Sequence, residues 1–297
     1  MTDRPHPLLW AAFAAALLTL GGLGWVARGL LSEGGGRGDA RAALFELLEE
    51  GGRSSGSSSP DSLPDSLRRP SPLPPDPLRW TSPLARSCRA ADPELRQRLA
   101  TAFARLPSLR QRVAIDPSNY GRRFRQDAFG NRLDPTPRVV VLHETVSSLD
   151  SALNTFKTPH PRDEDQVSYH TLVGQRGEIV ETVPPERRAF GAGNSAFNGR
   201  WAVTNPAVGG SINNFALHIS LETPSDGEDD EAEHSGYTAA QYDAIALVLA
   251  SWMRRFPIPP QAITTHRHVD LGGERADPRS FDWSELEARL SALGVLC

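Results

Sequence analysis

Apolar and polar positions divide the chain into stretches of different period. Residues 8–26 are 19 uncharged, mostly apolar positions with no polar stripe. As a helix rising 1.5 Å per residue they would extend about 30 Å, enough to cross a hydrocarbon core. They predict a membrane anchor, or a cleaved signal if the small residues Ala27 and Gly29 form a processing site. A short helical pattern comes next at 38–50. Residues 51–77 are rich in Gly, Ser, Pro and Asp and lack the apolar content for a core, which predicts a disordered spacer. Helical spacing returns over 92–113 through Leu95, Leu99, Phe103 and Leu106, with Pro107 expected to break or kink it. The aromatics Tyr120, Phe124 and Phe129 within 119–138 predict an ordered loop packed on a domain edge.

Beyond residue 138 short strand patterns alternate with helical ones. The run RVVVL at 138–142 predicts a buried central strand that delivers His143 at its carboxyl end. Residues 147–156 predict a helix. A hairpin is expected from Tyr169, Thr171 and Val173 on one strand and Ile179, Glu181 and Val183 on the next, with the turn at Gly174 to Gly177. Residues 212–221 predict another strand, with His218, Ser220 and Glu222 on one face. The acidic run 226–233 reads as a solvated loop. Thr238 and Gln241 predict a capping box opening a helix to about Phe256, with Tyr242, Ile245, Leu249 and Trp252 buried. Residues 263–265 predict a strand ending at His266, and a last helix starts near Asp282 with Glu285 completing a second capping box. The fold class is α/β: a mixed central β-sheet with helices on its faces, preceded by an N-terminal membrane helix and a disordered linker. The expected division is 1–31 anchor or signal, 32–80 linker with a short helix, 81–137 helical lead-in and packing loop, and 138–297 catalytic domain.

Composition narrows this picture. The 25 Pro and 25 Gly cluster early, so one domain of about 150 to 160 residues is expected rather than two. Through residue 138 there are 20 Arg against 14 acids, and afterwards 12 basic residues against 22 acids. The basic half could lie against anionic lipid or wall polymer, but solvated arginine explains it as well. The acidic half carries no basic stripe with interleaved aromatics, which argues against nucleic acid as a partner. Cys88 and Cys297 lack metal-ligand spacing; an extracytoplasmic location would permit a disulfide between them, and two free thiols fit equally.

The stretch 168–193, SYHTLVGQRGEIVETVPPERRAFGAG, together with VVLH, TTH and ADPRSFDW, resembles the zinc-dependent N-acetylmuramoyl-L-alanine amidases of the type 2 family, over roughly residues 138–293. The resemblance implies a Zn2+ site built from His143, His266 and Asp277, three ligands that leave a position for water or substrate. His268 and His170 compete as ligands on spacing, and His160 reads as surface or substrate rim. The family's usual catalytic glutamate falls at Ser220, so Tyr169 is expected to orient the reacting water. Glu222 and Glu144 remain candidates for the base. Arg275 is expected to steady the oxyanion. The implied activity is hydrolysis of the amide between N-acetylmuramic acid and L-alanine in peptidoglycan or its fragments; a non-catalytic peptidoglycan-recognition module is the alternative. Other hydrolase patterns fail, since HETVS lacks the second His of H-E-x-x-H, the stretch 194–196 is not a G-x-S-x-G elbow and no S-x-x-K nucleophile occurs. A monomer in the cell envelope is expected, membrane-anchored or secreted, with the catalytic domain outside the cytoplasm.

Overall fold

The computed structural model describes residues 80–86, 91–229 and 231–296, together with 72, 73 and 75. The apolar run at 8–26, the pattern at 38–50, most of the spacer, Cys88 and Cys297 lie outside the described residues. No described helix is long and apolar enough to cross a membrane.

Helix α1 (Pro93–Ala104) opens with Asp92 accepting from Leu95 N at 2.7 Å. The helical pattern expected to reach residue 113 stops at Ala104. Pro107 has no N–H to continue the ladder and sits instead in the first turn of the short α2 (Leu106–Leu109). The chain then becomes strand β1 (Arg110–Arg112), which joins the sheet along one edge. In order come β2 (Tyr120–Arg122), β3 (Val139–Glu144), α3 (Leu149–Lys157), β4 (Thr171–Val173), β5 (Ile179–Glu181), β6 (Arg187–Ala189), β7 (Ala202–Asn205), β8 (Gly209–Ser211) and β9 (Ala216–Leu221). Helix α4 (Ala239–Arg255), β10 (Ile263–Thr265), α5 (His266–Val269) and α6 (Trp283–Ala292) complete the described elements.

The main sheet has the order β1-β5-β4-β9-β3-β10. Only the β4–β5 hairpin is antiparallel; every other pair in it is parallel. The mixed sheet with flanking helices therefore stands as expected, but its edge strand β1 comes from before residue 138, so the sheet crosses the boundary drawn there. A parallel sheet needs cover on both faces. The larger core joins β3, β9 and β10 to α4 and α6, with Leu142, Leu217, Ile245 and Leu249 fully buried. A smaller cluster of Ile115, Leu153, Phe156, Leu172 and Val180 lies against α3.

The capping box of α4 is present in both halves: Gln241 N donates to Thr238 Oγ1 at 3.1 Å, and Thr238 N donates to Gln241 Oε1 at 3.0 Å. The second box is not formed. Asp282 accepts from Ser284 N, its own N–H donates to the Tyr242 hydroxyl, and Glu285 turns to Arg289 four residues on. Strand β9 begins four residues later than residue 212, because 213–215 form a turn. In that turn the Asn214 side chain accepts from Phe124 N at 2.7 Å and donates to Phe124 O at 2.9 Å, which fixes the aromatic loop against the sheet.

Candidate metal centre

His143 lies one residue before the end of β3, and His266 comes directly after β10. These strands are parallel, with Thr265 beside Leu142, so the next register position sets His266 beside His143. Asp277 arrives from the loop before α6, pinned by Arg267 N donating to Asp277 O at 3.1 Å. Its Oδ2 is 3.1 Å from His143 Nδ1 and 3.2 Å from His266 Nδ1. The three ligand atoms lie within 4.8 Å of one another. Donors on a tetrahedral zinc at about 2.0 to 2.2 Å would be about 3.3 to 3.6 Å apart. Two imidazoles and one carboxylate at these separations fit such an ion.

Electrostatics favour the ligand forms of these groups. Burial lowers the His143 pKa to about 4, helped by the nearby His266 and Arg275 and opposed by Asp277, so its ring is neutral at neutral pH. Burial alone would raise the Asp277 carboxyl, but hydrogen bonds to His143 and His266 hold it well below the usual carboxylate range.

Other residues singled out in the sequence separate into those near the cluster and those elsewhere. Tyr169 stacks on His143 with ring centroids 4.3 Å apart, backed by Phe156 at 5.5 Å. Burial pushes its phenol well above the ordinary value, leaving it a neutral hydrogen-bond donor and no base. Arg275 is exposed and lines the same groove. Glu222 is not part of the site: its carboxylate accepts from Leu149 N and Gln175 N, both at 2.8 Å, tying α3 to the hairpin turn. Glu144 is consumed by Arg279 at 2.6 Å, the Tyr237 hydroxyl at 2.6 Å and His234 at 3.0 Å. His268 stacks on Trp80 and meets Thr265 Oγ1, outside the cluster. His170 is buried and accepts from His218 N at 2.9 Å, and His160 meets Asn119 Oδ1.

The residue that sequence reasoning passed over is His218. It is fully buried on β9, and its Nδ1 lies 3.0 Å from His143 Nε2. A metal-bound imidazole is oriented through its other ring nitrogen, and His218 sits where that orientation is set. Gly191 of the FGAG stretch lies against it, since a Cβ there would overlap the His218 ring. Its one sequence signal is a histidine inside the otherwise buried strand ALHISL. Ser220, in register beside His143, supplies no carboxylate. Above the cluster runs an open groove of about 700 Å³ lined by Tyr169, Arg188, Phe190, Asn194, Arg275 and Asp277 among others.

Residues 133–280 match the family described as N-acetylmuramoyl-L-alanine amidase. The chain is 35% identical over 124 residues to the 1,6-anhydro-N-acetylmuramyl-L-alanine amidase AmpD of Citrobacter freundii, which covers 41% of this chain and 57% of that protein. It thus spans somewhat over half the length of that curated relative. The solution structure of Citrobacter freundii AmpD superposes with a TM-score of 0.40 and 26% identity, covering 62% of this chain and 91% of the other. The Escherichia coli amidase AmiD, solved with the substrate anhydro-N-acetylmuramic acid-L-Ala-D-gamma-Glu-L-Lys, gives 0.38 at 24% identity, covering 50% and 57%.

Proposed function

We propose that the domain, whose residues 133–280 belong to the N-acetylmuramoyl-L-alanine amidase family, hydrolyses the amide between N-acetylmuramic acid and L-alanine in peptidoglycan or its fragments. The observation that carries this reading is the convergence of His143, His266 and Asp277 on one point at the floor of the groove. These three residues would hold Zn2+. Bound there, zinc would supply Lewis-acid polarisation of the scissile carbonyl and bring the pKa of a water toward about 7.

The protein groups do the remaining work. His218 keeps the His143 ring turned toward Asp277. The Tyr169 ring, wedged between His143 and Phe156, presents a neutral phenol that orients the reacting groups. The Arg275 guanidinium places positive charge at the groove, where the carbonyl oxygen becomes negative as water adds to its carbon. The C–N bond then breaks, the peptide leaves with a free L-alanine amine, and the sugar keeps a lactyl carboxylate. Tyr169→Phe and Arg275→Ala are expected to retain zinc and lower kcat by about 10- to 100-fold with a smaller change in KM, because both act on the transition state. Steady-state kinetics beside metal analysis checks this; unchanged kcat in both would remove them from the mechanism.

Mass spectrometry of a muropeptide incubated with the full-length protein tests the activity itself. Release of intact stem peptide bearing a free L-alanine amine, with one water added across the two products, is the expected result. Tight muropeptide binding with no cleavage by the zinc-loaded protein would favour the recognition module instead. The reading includes a location: the apolar run 8–26 holds the protein at the membrane, with the catalytic domain outside the cytoplasm as a monomer. Protease accessibility on spheroplasts tests the topology, and a protected domain would place the enzyme on imported wall fragments.

A further inference from the structure

Arg188 lies in the groove with no described carboxylate in ion-pair contact. Strand β6 pairs antiparallel with β2, setting Arg188 opposite Gly121. A Cβ on Gly121 would lie 3.3 Å from Phe190 Cζ and 3.8 Å from Arg188 Nη2, so the glycine gives the ring and the guanidinium room to lie close. The guanidinium carbon is 4.7 Å from the Phe124 ring centroid and 5.0 Å from that of Phe190, a sandwich that fixes its plane. Its polar partner is the Thr204 hydroxyl, which accepts from Nη1 at 2.5 Å. The Nε is buried without a partner. No described carboxylate forms an ion pair with it. Asp163, whose charge acts on it through space, is engaged by the Asn205 amide.

Arg123 shows what a structural arginine in this region looks like. It too is deeply buried, but its donors end on the carbonyls of Pro185, Asn213, Asn214 and Ala216. Arg188 has no such set and faces the groove. Burial lowers its pKa to about 10, which leaves it charged at neutral pH. A partly buried cation with no carboxylate in direct contact is costly, and a planar guanidinium matches a carboxylate with two parallel N–H bonds.

We propose that Arg188, held between Phe124 and Phe190, is the specificity-determining residue that binds a carboxylate of the substrate. This rests on the amidase reading. In a stem of the L-Ala-D-γ-Glu kind, the γ-linkage leaves the glutamate α-carboxylate free one residue past the scissile bond's alanine, and that carboxylate is the group assigned to Arg188.

The test compares two synthetic muropeptides, one with the free α-carboxylate and one with a carboxamide there, on the full-length protein, Arg188→Gln and Arg188→Lys. Wild type is expected to prefer the carboxylate by about 10- to 100-fold in kcat/KM, mostly through KM. In Arg188→Gln the preference is expected to fall to about one. Arg188→Lys keeps charge but not the planar fork, and is expected to retain part of the preference; it decides the matter if the Gln variant does not fold. Equal losses on both substrates, or no preference in wild type, would overturn the proposal. Calorimetric binding of the same pair separates this from the amidase reading. If wild type cleaves neither compound but its binding preference still disappears in Arg188→Gln, the amidase reading fails and the carboxylate site stands. If the binding preference is also absent, both fail.

Discussion

Alanine at His143, His266 or Asp277 is expected to leave the purified full-length protein without stoichiometric zinc and to lower amidase turnover by more than about a thousandfold. A catalytic zinc with three protein ligands is left with two, and both carbonyl polarisation and water activation depend on it. The three positions are not equivalent in the folded state. Loss of Asp277 also leaves two neighbouring imidazoles without the carboxylate they share, whereas loss of His266 leaves the His143–Asp277 contact in place. His268→Ala is the internal control. That ring stacks on Trp80, so the variant should keep its zinc. Elemental analysis of the four proteins decides the assignment: a His266→Ala protein with one bound zinc, beside a zinc-free His268→Ala protein, would reverse it.

The second large effect concerns stability. Arg279→Ala is expected to destabilise the domain by about 3 to 5 kcal/mol, because it leaves the Glu144 carboxylate buried without its cation. Arg279 also donates to the carbonyls of Gly227, Asp229 and Glu231, so the same change orphans the acidic loop after β9. For a domain of this size the loss corresponds to a fall in Tm of roughly 6 to 20 °C. Calorimetric unfolding at matched zinc saturation checks it, and a Tm within about 2 °C of wild type would mean the ion pair is solvated and contributes little.

The cluster of His143, His266 and Asp277 was legible for a simple reason. A short apolar run that ends in a histidine reads the same in sequence and in structure, since a parallel strand is buried along its length and presents the side chains at its carboxyl end to a crevice. That holds for VVLH and TTH; Asp277 needed the ADPRSFDW phrase, because a loop residue carries no period. Glu222 misled for the converse reason. The two-residue alternation that put it beside Ser220 holds only while the strand lasts, and the chain leaves the sheet at Leu221. The carboxylate then turns to two free N–H groups, one at the start of α3. Strand β1 was read as helix because three residues are too few to show a period of two, and the leucines before it do show one of 3.6. His218 and Arg188 owe their places to strand register and to rings distant in sequence, which no local pattern encodes.

The segment from Arg275 to Arg279 gives different tasks to alternate residues: a groove cation, the carboxylate shared by His143 and His266, and the anchor of the acidic loop. Their spacing is set by backbone geometry, so inserting or deleting one residue there would turn all three side chains at once. Length variation should therefore be refused between 275 and 279. A library of single-residue insertions would find chemistry and folding failing together at one short stretch of chain.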